Sequence, residues 1–295
     1  MFEGESIVKQ QEKVIALVGS TGYIAKQLIN SLKSYKVIKI ARDIKEGDLG
    51  LDLLNVEQFD FTLLKSVDYV LFTAAISSPE MCEKSYKKAY KINVQSTSHF
   101  IQQALKYQCK VIFFSSDAVY GENNNVIFNE ESVAVPTTMY GTMKKTIEEA
   151  FLYHPLFKTI RLSYVISKKD KFTKYCIDCF DKNVTPEIYH PFSRNVIFID
   201  DLKEAIIKII DEWEKQSFNV INMCGNQLIS RLDILNEISK FYKKDLCYKI
   251  IDGGEFFKYR PRIVQLNSIY MKDIINNYEE GFSYKFDKEF SKEED

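Results

Sequence analysis

One stretch near the start of the chain, KVIALVGSTGYIAKQLINSL, constrains the fold more than any other. Its apolar run from about Val14 to Val18 predicts a buried strand, and the apolar spacing after Tyr23 predicts a helix. Between them lies Gly19-x-x-Gly22-x-x-Ala25. Gly19 permits a sharp strand-to-helix turn, Gly22 lets backbone N–H groups approach an anion at the helix N-terminus, and the small Ala25 lets helix and strand pack closely. A glycine triplet alone is a weak signal. Placed between a strand and a helix, it points to the pyrophosphate of a dinucleotide, with Thr21, Tyr23 and Ile24 on the same turn.

Strands and helices keep alternating beyond it. Lys36–Ala41 (KVIKIA), Asp68–Ala75 (DYVLFTAA) and Lys110–Ser115 read as strands, and one amphipathic helix is expected from about Cys82 through Gln108, carrying Asn93. This pattern implies an α/β, doubly wound parallel sheet with helices on both faces, whose ligands lie beyond the carboxyl ends of the strands. The Gly19 turn, Thr73-Ala74-Ala75 and Ser116 then share one rim. The second strand ends at Ala41, followed by Arg42 and Asp43. A carboxylate at this place suits a ribose 2′-hydroxyl and a guanidinium suits a 2′-phosphate, so Arg42 argues for NADP over NAD. Asp43 takes the carboxylate's place if the strand runs about one or two residues further. Asp52-Leu53 is a candidate contact to adenine; otherwise it is a turn.

The segments SSDAVYG and YGTMKK carry the chemistry. Tyr140 and Lys144 stand four apart and so share one helix face. A free phenol has a pKa of roughly 10. A neighbouring ammonium favours the phenolate and brings it nearer neutrality. Ser116 can then hold a carbonyl oxygen while Tyr140 exchanges a proton with it. Chance produces Tyr-x-x-x-Lys in a chain with 18 tyrosines. The weight rests on its company, a serine-bearing strand and the glycine turn.

At 295 residues the chain accommodates one large domain or two smaller ones. Its net charge of −1 removes any bulk attraction to nucleic acid or an anionic membrane. No apolar run reaches the length of a membrane span. The polar start, an extension over residues 1–12, lacks the core of a signal peptide, so a cytoplasmic protein is expected. Cysteines in such a setting are expected reduced. Cys176-x-x-Cys179 has no second pair to complete a zinc site and falls on a predicted amphipathic helix. His99, His154 and His190 lack ligand spacing, and no metal is expected.

Further on, Lys158–Ile166 reads as a sixth strand, Arg194–Ile210 as a short strand and a helix opened by Asp200-Asp201, and Phe218–Gly225 as a strand. SRLDILNEISKFY is an amphipathic helix, while the residues after about 275 show no clear period. The expected division is a dinucleotide-binding domain over 13–165 plus about 194–225, and a substrate lobe over about 166–193 and 226–295.

With these residues in view, the chain resembles the extended short-chain dehydrogenase/reductases of the nucleotide-sugar epimerase, dehydratase and reductase group. The likeness rests on GSTGYIA, Asp52-Leu53, the TAA strand end, Asn93, SSDAVYG, YGTMK, RNVIFIDDL and YRPR, over roughly residues 13 to 275. It implies a Rossmann-type sheet and a smaller C-terminal lobe for the nucleotide-sugar. By resemblance, Ser116 is the catalytic hydroxyl, Tyr140 the general acid/base, and Lys144 the residue that binds the nicotinamide ribose and lowers the tyrosine pKa. Ser115 is a supporting hydroxyl or a packed one. Asp117 and Ala118 border the substrate with Ser116. Arg194 matches an arginine for the substrate's phosphates, and either Arg260 or Arg262 matches a second.

Two departures narrow the activity. Dehydratases of the group carry Asp-Glu after the catalytic threonine, where this chain has Asp117-Ala118. Fucose-synthase-like members carry a cysteine in place of Ala118, and a later histidine. The resemblance therefore implies an NADPH-dependent keto-sugar reductase, in character nearest the dTDP-4-dehydrorhamnose reductase-like enzymes. The alternatives are a 4-epimerase with retained NAD, or a non-catalytic dinucleotide sensor. Its implied partner is the nucleotide-sugar, with a homodimer as an allowed assembly and neither nucleic acid nor membrane involved.

Overall fold

The computed structural model describes residues 12–122, 125–245 and 247–292. Apart from Glu12, the expected N-terminal extension lies outside the described residues. Seven parallel strands form the main sheet: β1 (Val14–Val18), β2 (Lys36–Ala41), β3 (Leu49–Gly50), β4 (Tyr69–Phe72), β5 (Lys110–Ser116), β6 (Phe157–Leu162) and β7 (Val220–Met223), in the order β7-β6-β5-β4-β1-β2-β3. The order reverses at β1, where the chain runs outward to β2 and then returns past β1 to β4, so the strand ends open a crevice there.

The period of two in each strand sends neighbours to opposite faces. Ile15 and Leu17 enter a core with Leu71, Ile112 and Ile160 beneath α1 (Tyr23–Ile29), with Leu202 and Ile206 of the helix Ile199–Asp211. Ala16 and Val18 enter the other with Val70, Phe72 and Phe113, beneath the helices Thr97–Lys106 and Met139–Phe151. Near-continuous apolar strands are what a sheet covered on both faces requires.

Four expectations are corrected. The helix expected over Cys82–Gln108 is broken into α2 (Pro79–Lys84), α3 (Tyr86–Tyr90), a π-helical turn at Lys91–Ser96 and α4 (Thr97–Lys106). The break falls at Ser85, whose φ of −123° and ψ of 45° are not helical. The strand expected over Asp68–Ala75 stops at Phe72, leaving Thr73-Ala74-Ala75 as a loop. Lys158–Ile166 divides: β6 ends at Leu162, and Val165–Ile166 pairs instead with Ile197–Phe198. The supposedly aperiodic tail contains a helix, Phe282–Phe290, whose Phe282, Phe286 and Phe290 repeat every fourth residue on its buried face.

A second sheet joins Leu228–Ser230, Ser193–Asn195, Ile263–Leu266 and Ile127–Phe128 in that order. It draws strands from both sides of the division expected from the sequence. With α5 as Met139–Phe151, α6 as Lys171–Asp181, α7 as Ile199–Asp211 and α8 as Arg231–Tyr242, a third core lies among α6, α8 and the Phe282–Phe290 helix. Asp170 caps α6, and a reciprocal Ser230–Asp233 capping box starts α8. Cys176 and Cys179 are buried along α6. Among the described residues no cluster of three or more His, Cys, Asp or Glu side chains gathers as a metal site would, and no helix is long and apolar enough to cross a membrane.

Candidate active site

A cleft of about 540 Å³ opens over the carboxyl ends of β1, β2, β4 and β5. Gly19, Thr21, Gly22, Tyr23 and Ile24 line one side; Arg42, Asp52 and Leu53 another; Thr73, Ala74 and Ala75 the floor; Tyr140 and Lys144 the far end. Gly19 has φ of +86°, and a Cβ there would stand 2.8 Å from the Ala74 Cα, so both the turn and its approach to β4 demand glycine. The Gly19 and Ser20 N–H groups donate to the Ile40 carbonyl at 2.9 and 3.2 Å, tying the turn to β2. Because β2 ends at Ala41, Arg42 is the charged residue at the cleft; Asp43 instead accepts from the Lys45 N–H at 2.9 Å. Asp52 both lines the cleft and caps its own turn, accepting from the Leu54 N–H and the Asn55 amide. Asn93, on the π-helical turn, pins Ile76 by accepting its N–H at 2.8 Å and donating to its carbonyl at 3.0 Å. That bond pair fixes the loop after Ala75.

Tyr140 and Lys144 lie on α5, where Thr138 supplies the N-cap. Gly141, between them, meets the Ala118 carbonyl so closely that a Cβ would collide with it, which brings the helix against the Ser116 turn. Lys144 is buried, donates from Nζ to the Phe114 carbonyl at 2.7 Å, and lies 5.9 Å from the Tyr140 ring centre. Burial lowers its pKa to about 8, against the raising influence of Glu148. The expected acidification of Tyr140 is not what the structure shows. Burial first, then Cys82 and the Asp117 carboxylate, push the phenol upward, because desolvation penalises the phenolate. Among the described residues the Tyr140 hydroxyl has no hydrogen-bond partner.

Ser116 caps the Asp117–Tyr120 turn: its Oγ donates to Asp117 Oδ1 at 3.0 Å and accepts from the Ala118 N–H at 3.2 Å. Ser116 is not among the residues that line the cleft, whereas Ser115 is. Ser115 donates to Glu148, which lies one turn beyond Lys144 and holds Arg161 in a buried ion pair of 2.7 Å. Tyr140, Lys144 and Glu148 thus form one i, i+4 stripe, and the spacing alone could have added Glu148 to the candidates.

The arginines differ from expectation. Arg194 is buried and turned inward: Nε pairs with Asp117 at 3.0 Å, and Nη1 and Nη2 donate to the carbonyls of Ser193, Arg262 and Pro261. Its guanidinium clamps the second sheet to the Asp117–Tyr120 turn and leaves little of the fork for a phosphate. Arg260 bridges to Glu80 on α2 through both carboxylate oxygens and holds that carboxyl down at about 2. Arg262 lies 4.0 Å above the Phe257 ring and 4.0 Å from Asp252. Sequence reasoning missed Ser77 and Lys88, which also line the cleft.

Comparison with known proteins agrees with this architecture. The family model of the RmlD substrate binding domain matches residues 13–256. The chain is 25% identical over 307 aligned positions to the bifunctional polymyxin resistance protein ArnA of Wigglesworthia glossinidia brevipalpis, covering 94% of this chain but 43% of that protein. It is 24% identical to a putative UDP-glucose 4-epimerase of Methanocaldococcus jannaschii, over 88% of this chain and 89% of that one. The crystal structure of dTDP-4-dehydrorhamnose reductase from Yersinia enterocolitica superposes with a TM-score of 0.80 at 22% identity, covering 94% of this chain and 98% of the other. Sheet, glycine turn and family match together establish that the chain belongs to the RmlD substrate binding domain family, within the extended short-chain dehydrogenase/reductase group of nucleotide-sugar reductases and epimerases.

Proposed function

We propose that the protein reduces a nucleotide-activated keto-sugar, such as a 4-keto-6-deoxy sugar, with NADPH. The observation that carries this reading is Tyr140: a hydroxyl that has no partner among the described residues, at the end of the cleft, on a phenol that burial pushes toward its protonated form. A protonated phenol is the form an acid needs when a carbonyl is reduced. The cleft residues would hold a nicotinamide, which would supply the hydride. Tyr140 donates its proton to the carbonyl oxygen as charge develops there, and Ser116 turns its hydroxyl from Asp117 to the same oxygen. Lys144, which lines the cleft, would hold the cofactor's ribose, and its positive charge would favour the phenolate left when the proton departs. With Ala118 where dehydratases place glutamate, no second carboxyl stands beside Ser116 to eliminate water. Arg42 at the end of β2 supports a cofactor with a 2′-phosphate.

The reading places the protein in deoxysugar or polysaccharide synthesis, in the cytoplasm, with a homodimer as its expected assembly. It is tested by offering nucleotide keto-sugars with NADPH and following loss of reduced-cofactor absorbance. Turnover of one of them supports the proposal; no turnover across UDP-, dTDP-, GDP- and CDP-linked ketones overturns it. The second reading, a 4-epimerase, draws on the full-length likeness to the Methanocaldococcus jannaschii relative. It predicts NAD released on denaturing the purified protein, where a reductase is isolated empty and binds NADPH.

A further inference from the structure

Glu148 is a carboxylate sealed into the molecule, 2% exposed, and bonded to the cleft-lining Ser115. It stands one helical turn after Lys144, as Lys144 stands one turn after Tyr140, so α5 presents phenol, ammonium and carboxylate along one stripe. A buried carboxylate needs partners for both oxygens, and this one has them. Oε1 accepts from the Ser115 hydroxyl, and Oε2 accepts from Arg161 Nε at 3.0 Å and Nη2 at 2.7 Å. Arg161 is fixed in its turn: Nη1 donates to the Tyr120 hydroxyl at 2.8 Å, and the guanidinium lies 4.9 Å from that ring's centre.

Lys144 is held differently. Among the described residues its Nζ makes no ion pair; it donates to the Phe114 carbonyl at 2.7 Å and lies 4.6 Å from the Phe113 ring centre. An ammonium held by a neutral carbonyl and a ring face has lost its water, which favours shedding the proton. The titratable groups around it are Tyr140 and Glu148 on its own helix and Cys82 on α2, with Arg161 of β6 beyond Glu148. Of these, Glu148 does most to favour the charged form. Left loose, a buried carboxylate one turn from a buried ammonium would close on it as an ion pair and draw Nζ off the Phe114 carbonyl. Arg161 and Ser115 prevent that by holding both carboxylate oxygens, so Glu148 acts on Lys144 through space.

We propose that Glu148 is a positioning residue for the reduction: fixed by Arg161 and Ser115, it keeps the Lys144 ammonium charged from one turn away without pairing with it. The charge then stays free to serve the cofactor's ribose and the Tyr140 phenolate. The catalytic consequence rests on the reductase reading above, whereas the effect on Lys144 rests on the cluster alone.

The test follows that ammonium directly, by NMR of protein labelled with carbon-13 at lysine Cε, the Lys144 signal being assigned with Lys144→Met. Wild type is expected to titrate near pH 8. Glu148→Gln keeps the shape and removes the charge, and the midpoint is expected to fall by about one pH unit or more. Arg161→Met frees the carboxylate to reach Lys144, and the midpoint is expected to rise. Glu148→Gln combined with Arg161→Met strands no charge and so serves even where a single variant fails to fold. Its midpoint is again expected below that of wild type. A wild-type midpoint in the double variant overturns the proposal, as do single variants that shift the midpoint in the same direction. Turnover of a nucleotide keto-sugar with NADPH is expected to follow the same midpoints, declining through about pH 8 in wild type and at lower pH in Glu148→Gln. Coincident pH–rate profiles alongside different NMR midpoints overturn the catalytic role. Wild type without turnover overturns the reductase reading instead, and the NMR midpoints still decide whether Glu148 sets the charge of Lys144.

Discussion

Nε of Arg194 lies 3.0 Å from Oδ2 of Asp117, both side chains nearly closed to solvent, and Oδ1 of that carboxylate receives the Ser116 hydroxyl at 3.0 Å. One carboxylate therefore couples the second sheet to the turn that Ser116 caps. Removing one member of a buried ion pair strands the other, at a cost of about 3–5 kcal/mol. Asp117→Ala is expected to lose about that much in urea unfolding, while Asp117→Ala combined with Arg194→Met recovers most of it. A single variant that unfolds at the wild-type midpoint would falsify the clamp.

Tyr140→Phe removes the proposed proton donor and little else, since among the described residues the hydroxyl makes no hydrogen bond. Turnover is expected to fall by about 10²- to 10⁴-fold, with NADPH binding within a factor of about two of wild type. Lys144→Met should lose both, because Lys144 lines the cofactor cleft as well as neighbouring the phenol. Steady-state rates alongside fluorescence titration of NADPH separate the two effects. Wild-type turnover by Tyr140→Phe removes the acid role.

Arg42 projects from the end of β2 into the cleft and is exposed. Arg42→Leu is expected to weaken NADPH by about tenfold or more, the value of a lost charge-assisted contact, and to leave NADH unchanged. Equal weakening of both cofactors contradicts a 2′-phosphate contact.

Lys158 supplies a pH test away from the site. It is buried beside Trp213 and Phe218 and donates to the carbonyls of Gln216 and Phe218 at 3.0 and 2.7 Å. Burial lowers its pKa from 10.5 to about 8, with Glu214 opposing and Lys110 assisting the shift. Between those values the unfolded chain holds a proton that the folded chain has released. Stability from this group therefore rises with pH through that window, and the burden is full below pH 8. Melting curves from pH 7 to 10 should show wild type gaining on Lys158→Met as pH rises. A constant difference across the range contradicts the shift.

Some of this was legible without a structure. β1, the Gly19 turn and β2 were readable because their constraints are local: a buried strand needs an apolar run, and a positive φ needs glycine. The Tyr140–Lys144 pairing followed from helix pitch alone. The α6 and α8 helices carried amphipathic spacing in their own residues. The break at Ser85 was not legible, since the apolar period continues across it while the packing of α2 and α3 decides otherwise. The Phe282–Phe290 helix was overlooked because a strict fourfold spacing of aromatics amid charges is a short signal, stabilised by the core it joins.

Sequence by itself determined the α/β order, the dinucleotide turn and the presence of Ser116, Tyr140 and Lys144, because each depends on backbone freedom, side-chain type or spacing within a few residues. Tertiary structure decided the rest: that burial pushes the Tyr140 phenol upward, that Arg194 is held by Asp117, and that Arg260 is held by Glu80. The physical reason is one of range. Desolvation and charge pairing depend on groups brought together from distant parts of the chain, as Glu80 meets Arg260, and neither has a periodicity that a single strand or helix records.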